Sequence, residues 1–376
     1  MSQGTNYAQT QQGNRGNWPF AFPQSVSNLN ADTPNAFLQN PFPTQAQGSR
    51  TPLGCQQCLN AWNATSRTPY VHEWSFSLQR QLTTSLKFEA NYFGSHGVKI
   101  AAQLIDNVAP TAGPGNPADR RPIRQFPAYV NNGYNSYRAY YDGLSLSLDK
   151  QFAKGLLFSV NYTWSKAINY VDELSEVISG GSALPTRANV GQYRGLAGWD
   201  VPHRLVVSYY WLVPGKTASK AANALITGWA LSGIFSIDAG LPYSARTNAD
   251  IANVGAVPGR ITQFPNLVGD PNAISERTPQ QWFNRAAFAS APAFTFGNAG
   301  RNILRSDGLT TLNFSAHKQF PIRESTGFEL RGEFFNMMNQ TTFGYPGFQI
   351  GTPQFGVVSS TRESGRQVQL ALRFRF

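Results

Sequence analysis

The chain is dominated by segments in which apolar and polar side chains alternate residue by residue. In the final segment, RQVQLALRFRF, Leu370, Leu372, Phe374 and Phe376 are separated by single Ala or Arg residues. Successive side chains of a β-strand point to opposite faces, so a period of two places these apolar groups on one face. The C-terminus is therefore predicted to be a strand with one apolar and one more polar face.

About nine such segments follow one another from residue 71 onwards. Each is near the ~9 to 11 residues that a tilted strand needs to cross a membrane. The others are VHEWSFSLQRQL, LKFEANYFG, YDGLSLSLDKQF, GLLFSVNYTWSKA, HRLVVSYYWLVP, TGWALSGIFSIDAGLPYS, LTTLNFSAHKQF and TGFELRGEFFNMMN. A secreted soluble β-protein would also alternate, and would pack Phe158, Val160, Tyr162 and Trp164 into a core.

The lengths of the connections favour a membrane barrel over a soluble sandwich. Short turns (QLTTS, FAKG and FPIREST) and one of intermediate length (VPGKTASKAANALITG) alternate with long connections at 98–139, 168–202, 245–308 and 340–365. In an up-and-down meander, all short turns then lie at one end. Outer-membrane barrels have short periplasmic turns and long extracellular loops. We therefore predict a partial, antiparallel up-and-down transmembrane β-barrel in the bacterial outer membrane.

Composition is consistent with this prediction. Charged residues are 14% of the chain, and no apolar stretch approaches the ~20 residues of a membrane-spanning helix. The net charge of +11 would permit a nucleic-acid partner. However, the basic residues are dispersed, and Arg120, Arg121 and Arg124 lie in Pro- and Gly-rich sequence. We expect no nucleic-acid partner, and basic side chains that face the barrel lumen or lipopolysaccharide.

Aromatic residues end several apolar faces. Because aromatic rings settle at the membrane interface, we expect an aromatic girdle there, formed by Trp74, Tyr162, Trp164, Tyr209 and Trp211. A sugar-stacking role stays open for aromatics in the long loops.

Catalytic and metal-binding patterns are not recognisable. The four histidines lack metal-binding spacing, and nucleophile-elbow, phosphate-loop and dinucleotide motifs are not found. These histidines are His72, His96, His203 and His317. Four carboxylates near extracellular strand ends lack a partner base: Asp106, Asp142, Asp172 and Glu173. We predict no catalytic residue, cofactor or metal site, and expect that the protein is not an enzyme.

The two cysteines form a C-x-x-C pair, Cys55 and Cys58, in LGCQQCLN. Such a pair can be a redox site, half of a zinc site or a small disulfide. Its surroundings lack a βαβ pattern and a second Cys or His pair, which favours a short-range disulfide in an exported loop.

The first residues, MSQGTNYAQTQQGNRGNWPF, lack the basic and apolar regions of a secretion signal. We expect residues 1–70 to be an extracellular loop or a disordered N-terminal segment, and residues 71–376 to be barrel. About nine strands would leave two unpaired edges, which lipid cannot satisfy. We therefore expect the chain to be part of a longer protein.

Several segments resemble the C-terminal barrel of Oar-like TonB-dependent transporters over roughly residues 71–376. They are DGLSLSLDKQFAKGLLFSVNYTWSKA, DVPHRLVVSYYWLVPGK, ITGWALSGIFSIDAGLPYS, LRGEFFNMMNQTTFGYP and RQVQLALRFRF. The resemblance implies a large plugged barrel of about 22 strands that imports bulky nutrients. It also implies that Phe376, with Phe374 and Leu372, is a signal for the barrel assembly machinery.

Two functions follow as expectations. The first is capture of an unknown extracellular ligand and its uptake, with the TonB system engaged only through N-terminal parts that this sequence lacks. The alternative is an outer-membrane adhesin or structural barrel that binds through loops 98–139 and 245–308.

Overall fold

The computed structural model describes residues 60–62, 65–124, 128–170, 184–214, 227–255, 263–322 and 326–376. Within these ranges the protein is all-β, and nine strands are long. In chain order the strands are β1 (Asn60–Trp62), β2 (Tyr70–Thr83), β3 (Leu86–Asp106), β4 (Tyr129–Ala153), β5 (Leu156–Asn169), β6 (Gly195–Leu196), β7 (His203–Leu212), β8 (Trp229–Asp238), β9 (Pro242–Tyr243), β10 (Asn266–Leu267), β11 (Phe288–Ala289), β12 (Leu304–Arg305), β13 (Leu309–Pro321), β14 (Gly327–Phe335) and β15 (Gln367–Arg375).

The helical content of the described ranges consists of three short 3-10 helices, Pro117–Arg120, Val190–Tyr193 and Arg285–Ala287. Nothing helical in these ranges has the length and apolar character needed to cross a bilayer.

The long strands form one sheet in the order β2-β3-β4-β5-β7-β8-β13-β14-β15, and each long strand pairs antiparallel with its neighbours. This is the predicted up-and-down meander. Within the described residues β2 and β15 do not pair with each other, so the barrel is open and partial. β1 adds a short parallel pairing with β4, within the segment expected to be a loop.

The predicted alternation of short and long connections is confirmed where the structure describes it. Thr84 and Ser85 join β2 to β3, and Lys154 and Gly155 join β4 to β5 with positive φ angles of 53° and 79°. Two successive positive φ angles are typical of the type I′ turn, whose twist matches that of the flanking strands. All of the long connections lie at the opposite end of the sheet.

The prediction that residues 98–139 form one long loop is wrong. β3 continues to Asp106 and β4 begins at Tyr129, so the loop is confined to 107–128. Register shifts interrupt the added pairing between Val98 and Gln103. Bulges of this kind put two residues opposite one and break the strict alternation. The sequence pattern therefore ends before the strand does.

The sheet is a single layer whose two faces differ in chemistry. The face that carries Phe158, Val160, Tyr162 and Trp164 is called the outer face, and the opposite one the inner face. Val160 lies opposite Leu148 of β4 and Val207 of β7, so apolar rows continue from strand to strand. Trp164 is 57% exposed, and none of the four outer-face side chains is buried. They do not pack into a core, as a soluble β-protein would require.

The predicted aromatic girdle residues all lie on this outer face. Trp74 and Trp164 are near the end of the sheet that carries the long loops, and Trp211 is near the end with short turns. Large apolar side chains exposed over a whole sheet face are what a lipid environment stabilises.

The buried hydrophobic clusters of the described residues lie among the long loops and at the loop end of β3. The larger one contains Tyr193, Tyr243, Phe264, Trp282, Phe283, Phe288 and Phe355. The smaller one contains Ile105, Val108, Leu184, Ala252 and Val254. We call the assembly of residues 107–124, 184–202, 239–255, 263–308 and 336–366 the loop cap.

Candidate functional site

The loop cap is the candidate functional site, since it occupies the end of the sheet that the topology assigns to the outside of the cell. Its larger core is aromatic, and Phe283, Phe288 and Phe355 meet edge to face at centroid distances of 5.0 to 5.7 Å. Such edge-to-face pairs stabilise a defined ring geometry as well as burying area. Although rich in Pro, Gly and Asn, these loops form an ordered structure.

A partly buried ion pair fixes the cap to the sheet. The Asp200 carboxylate is 1% exposed and forms an ion pair with the Arg305 guanidinium. It also accepts a hydrogen bond of 2.6 Å from the backbone amide of Ala167 in β5. Arg305 donates further to the carbonyl of Gly240 at 2.9 Å. This network thereby joins two long loops to the end of β5.

Two further buried polar side chains hold the same loops together. Arg301, 4% exposed, donates to the Oδ1 atom of Asn169 at 2.7 Å. Asn302 is fully buried, exchanges hydrogen bonds with Ser244 and donates to the carbonyl of Leu196 at 2.7 Å. A buried polar group is costly unless it is hydrogen-bonded, so these contacts favour one arrangement of the loops.

Arg120 of the predicted basic cluster forms hydrogen bonds within the loop cap. Arg120 donates to the carbonyls of Thr111 and Gly113, both at 2.9 Å, and to that of Asn253. Burial lowers the pKa of Arg121 from its usual value. In the described structure, Arg120 therefore ties the 107–124 loop to the 239–255 segment.

The inner face of the sheet is polar and carries several ion pairs. Lys87 lies 3.3 Å from Glu89 and 3.7 Å from Asp149. Arg331 lies 2.8 Å from Glu329, which is on the same strand. A cavity of about 340 Å³ opens on this face near the β2–β3 turn, lined by Gln79, Gln81, Lys87 and Asp149 among others. Such a wall suits a water-filled or protein-filled lumen.

Aromatic side chains interrupt this polar wall near the loop cap. Phe93 and Tyr141 have ring centroids 6.0 Å apart, and Tyr141 and Trp199 are 6.1 Å apart. Phe93 and Trp199 are exposed. Sequence reasoning missed this group, because its three members come from β3, β4 and a loop.

Two of the predicted assembly-signal residues, Leu372 and Phe374, lie on the outer face of β15, and Phe376 follows the strand. Leu372 and Phe374 are 70% and 50% exposed, and Phe374 packs against Phe328 of β14 at 5.0 Å between centroids. Phe376 is 95% exposed. Their role in assembly stays a prediction. Cys55 and Cys58 lie outside the described residues.

The carboxylates do not converge, whereas two of the four histidines do. His72 and His96 lie opposite each other on β2 and β3, with ring centroids 6.3 Å apart. Asp106 forms an ion pair with Arg187. Asp142 accepts a hydrogen bond of 2.7 Å from the hydroxyl of Tyr92. Asp172 and Glu173 lie outside the described residues. His203 shares a hydrogen bond with Tyr162 at 2.8 Å, whereas His317 lies beside Tyr210. Within the described ranges, His, Cys, Asp and Glu side chains form no group that could hold a metal ion.

The sheet is an antiparallel meander with an apolar outer face and a polar inner face. Its short turns lie at one end and its large loops at the other. These features define a transmembrane β-barrel protein, here with an open barrel. The chain belongs to the outer membrane beta barrel domain family, whose model matches residues 1–369. It is a protein of the bacterial outer membrane.

Similar solved structures include three outer-membrane proteins. The outer membrane transporter YddB from Escherichia coli is 11% identical, with 83% of this chain and 33% of that chain covered and a TM-score of 0.41. The ferric preacinetobactin receptor BauA from Acinetobacter baumannii is 9% identical, with 81% and 29% covered and a TM-score of 0.39. The ferripyoverdine receptor of Pseudomonas aeruginosa is 11% identical, with 83% and 28% covered and a TM-score of 0.41.

The chain thus spans 28 to 33% of the length of these three structures. No curated protein sequence matches it.

Proposed function

We propose that this chain is the C-terminal barrel portion of an Oar-like TonB-dependent receptor, which captures an extracellular ligand and takes it across the outer membrane without converting it chemically. The observation that carries the proposal is the ordered loop cap above a polar inner wall. Its hydrogen bonds and aromatic core hold the loops in one arrangement, which a specific ligand surface needs.

The open edges of the sheet support a role as part of a larger barrel. β2 and β15 each pair with one strand of the main sheet among the described residues. Unpaired backbone groups cost several kcal/mol each, as an order of magnitude, in the absence of water. We infer that further strands of the same protein close the barrel, and that its plug and TonB-contacting segment precede those strands.

The size of the native protein tests this inference. An antibody against the loop cap should detect, in outer membranes of the source bacterium, a polypeptide much larger than the 41.3 kDa of this chain. A single band at the size of the chain would contradict the inference and would favour a self-contained barrel.

Uptake is tested by following which compounds disappear from complex growth medium. Three strains are compared: wild type, a deletion of the gene, and a strain with Asp200→Ala, which removes the carboxylate that joins the cap to β5. The proposal predicts that at least one compound is depleted by the wild type but not by the deletion strain or the Asp200→Ala strain, and that a protonophore prevents this depletion. Asp142→Ala, an exposed outer-face change, is the matched control and should leave depletion intact.

An adhesin would give a different result. It would bind cells or surfaces through the cap in the presence of the protonophore, and deletion of the gene would abolish binding while leaving all compounds depleted as before. That combination would overturn the uptake proposal.

A further inference from the structure

A basic patch lies on the outer face at the end of the sheet that carries the loop cap. Its cations are Lys99, Arg138 and Arg194, and its aromatic rings are Tyr70 and Tyr140. We call these five residues the outer basic patch. Arg138 and Arg194 are exposed, and Lys99 is half-buried.

Strand register places Tyr70, Arg138 and Tyr140 on the membrane-facing side. Tyr70 and Arg138 both lie opposite Val98, and Val98 follows His96 on the outer face of β3. Tyr140 lies opposite Ile168, which in turn pairs with Leu196 of β6. Lys99 lies at a register shift of β3, and Arg194 precedes β6. Their contacts with the rings of Tyr70 and Tyr140 place these two cations on the same side.

Aromatic rings position the three cations. The Nζ atom of Lys99 lies 5.1 Å from the centroid of the Tyr70 ring, and the Arg194 guanidinium lies 5.9 Å from that of Tyr140. A side-chain hydrogen bond joins Arg138 to Tyr140. Cation–π contacts restrict the side chains while leaving their N–H donors available.

Charge distinguishes this patch from the inner wall. Lys87 and Arg331 of the inner face form ion pairs with carboxylates. No carboxylate of the described residues forms an ion pair with Lys99, Arg138 or Arg194. Three clustered positive charges repel one another, so an anion from outside the chain would stabilise them.

The position of the patch selects the kind of anion. It lies on the loop side of Trp74, which is at the same edge of the sheet and belongs to the aromatic girdle. Aromatic girdles mark the boundary between acyl chains and headgroups. A soluble anion in the lumen would meet the inner face instead. Arg guanidinium groups bind phosphate oxygens in a bidentate manner, and Lys adds a point charge.

We propose that the outer basic patch binds the phosphate groups of lipid A, the phosphorylated glycolipid of the outer leaflet. The proposal depends on the outer-membrane barrel fold and not on the proposed uptake function. It can therefore hold whether the protein is a transporter or an adhesin.

The test is native mass spectrometry of the full protein, purified from outer membranes in detergent and incubated with bisphosphorylated lipid A. The triple variant Lys99→Gln, Arg138→Gln, Arg194→Gln should bind about tenfold less lipid A than the wild type, since three charge-assisted contacts are lost. Dephosphorylated lipid A and phosphatidylglycerol should bind the wild type weakly.

A charge-matched variant, Arg80→Gln, Arg124→Gln, Arg366→Gln, removes three exposed arginines elsewhere and should bind like the wild type. Folding of each variant is checked by gel electrophoresis, in which the unheated folded protein should migrate differently from the heated unfolded protein. Should the triple variant fail to fold, the three single variants are measured, and each should lose part of the binding.

Three results would overturn the proposal. They are undiminished binding by the patch variants, an equal loss in the charge-matched variant, and equal binding of dephosphorylated lipid A or phosphatidylglycerol by the wild type.

Discussion

At the scale of single residues, the loop cap depends on polar groups that are buried and bonded. Asp200 is the clearest case, because one carboxylate serves both the Arg305 guanidinium and the Ala167 amide. Removing one partner of such a network leaves the others desolvated and unpaired.

We predict that Asp200→Ala weakens the attachment of the cap by about 3 kcal/mol. Hydrogen exchange should become roughly 100-fold faster for the amides of Ala197 and Asp200, which are bonded within this region, while strand amides keep their protection. Asp142→Ala serves as the control and should change neither. Unchanged exchange of Ala197 in the Asp200 variant would contradict the prediction.

The buried Tyr243 makes the stability of the loop cap depend on pH. It is 2% exposed, and its hydroxyl has no hydrogen-bond partner among the described residues. Burial raises the pKa of Tyr243 above its usual value. Because the pKa of Tyr243 is higher in the folded than in the unfolded state, its contribution to the free energy of unfolding is fully present below about pH 10. This contribution is lost as the pH rises further.

We therefore predict that the wild-type cap opens in alkali and that Tyr243→Phe resists higher pH. At neutral pH the variant should be as stable or more stable by up to about 1 kcal/mol, since the lost hydroxyl made no bond. The measurement is proteolysis of the cap by an alkali-tolerant protease from about pH 8 to about pH 12. Tyr345→Phe, at a half-buried site, should give a smaller shift. Identical alkaline profiles for wild type and Tyr243→Phe would refute the argument.

At the scale of strands and turns, glycine matters where the backbone requires it. Gly155 has a φ of 79° in the β4–β5 turn, and a Cβ atom there would lie 3.0 Å from the carbonyl oxygen of Leu212. Non-glycine residues are disfavoured in the left-handed region by about 1–2 kcal/mol.

Gly155→Ala should therefore lower the yield of folded protein in a refolding experiment into detergent, by about fivefold or more. Gly191→Ala is the matched control, because a Cβ atom there meets nothing within 4 Å and its φ is not in the left-handed region. Equal yields for the two variants would show that the turn tolerates a side chain.

The closing strand gives a second prediction at this scale. Phe376 is 95% exposed, so its removal costs little packing. If it is a signal for the assembly machinery, Phe376→Ala should reduce insertion into outer membranes several-fold in cells while leaving the thermal stability of the inserted protein unchanged. Phe294→Ala, at an exposed site in the cap, is the control. Normal insertion of the Phe376 variant would remove the proposed role.

At the scale of the whole molecule, the sheet predicts which tryptophans contact lipid. Trp164 lies on the outer face and is 57% exposed, whereas Trp282 is 5% exposed within the cap. In single-tryptophan variants placed in bilayers of brominated lipid, fluorescence of Trp164 should be strongly quenched and that of Trp282 little affected. Comparable quenching of both would contradict the assigned faces.

The sequence alone determined the strands, their faces and their order. Alternation such as that of Phe158 to Trp164 identifies a face because side-chain direction in a strand has a fixed period of two. The difference between short and long connections then placed the loops at one end. These are local properties, and nine long strands of the described structure follow them.

Only the tertiary structure decided how the loops pack and which residues hold them together. The bulged extensions of β3 and β4 were not foreseen, since a register shift hides the alternation. Asp200 and Arg305 are 105 residues apart in the sequence. Lys99 and Arg194 of the outer basic patch are also far apart in the sequence, and no period links such positions. Their contacts arise because the folded sheet brings distant loops to one end, where burial and charge, rather than sequence spacing, select the partners.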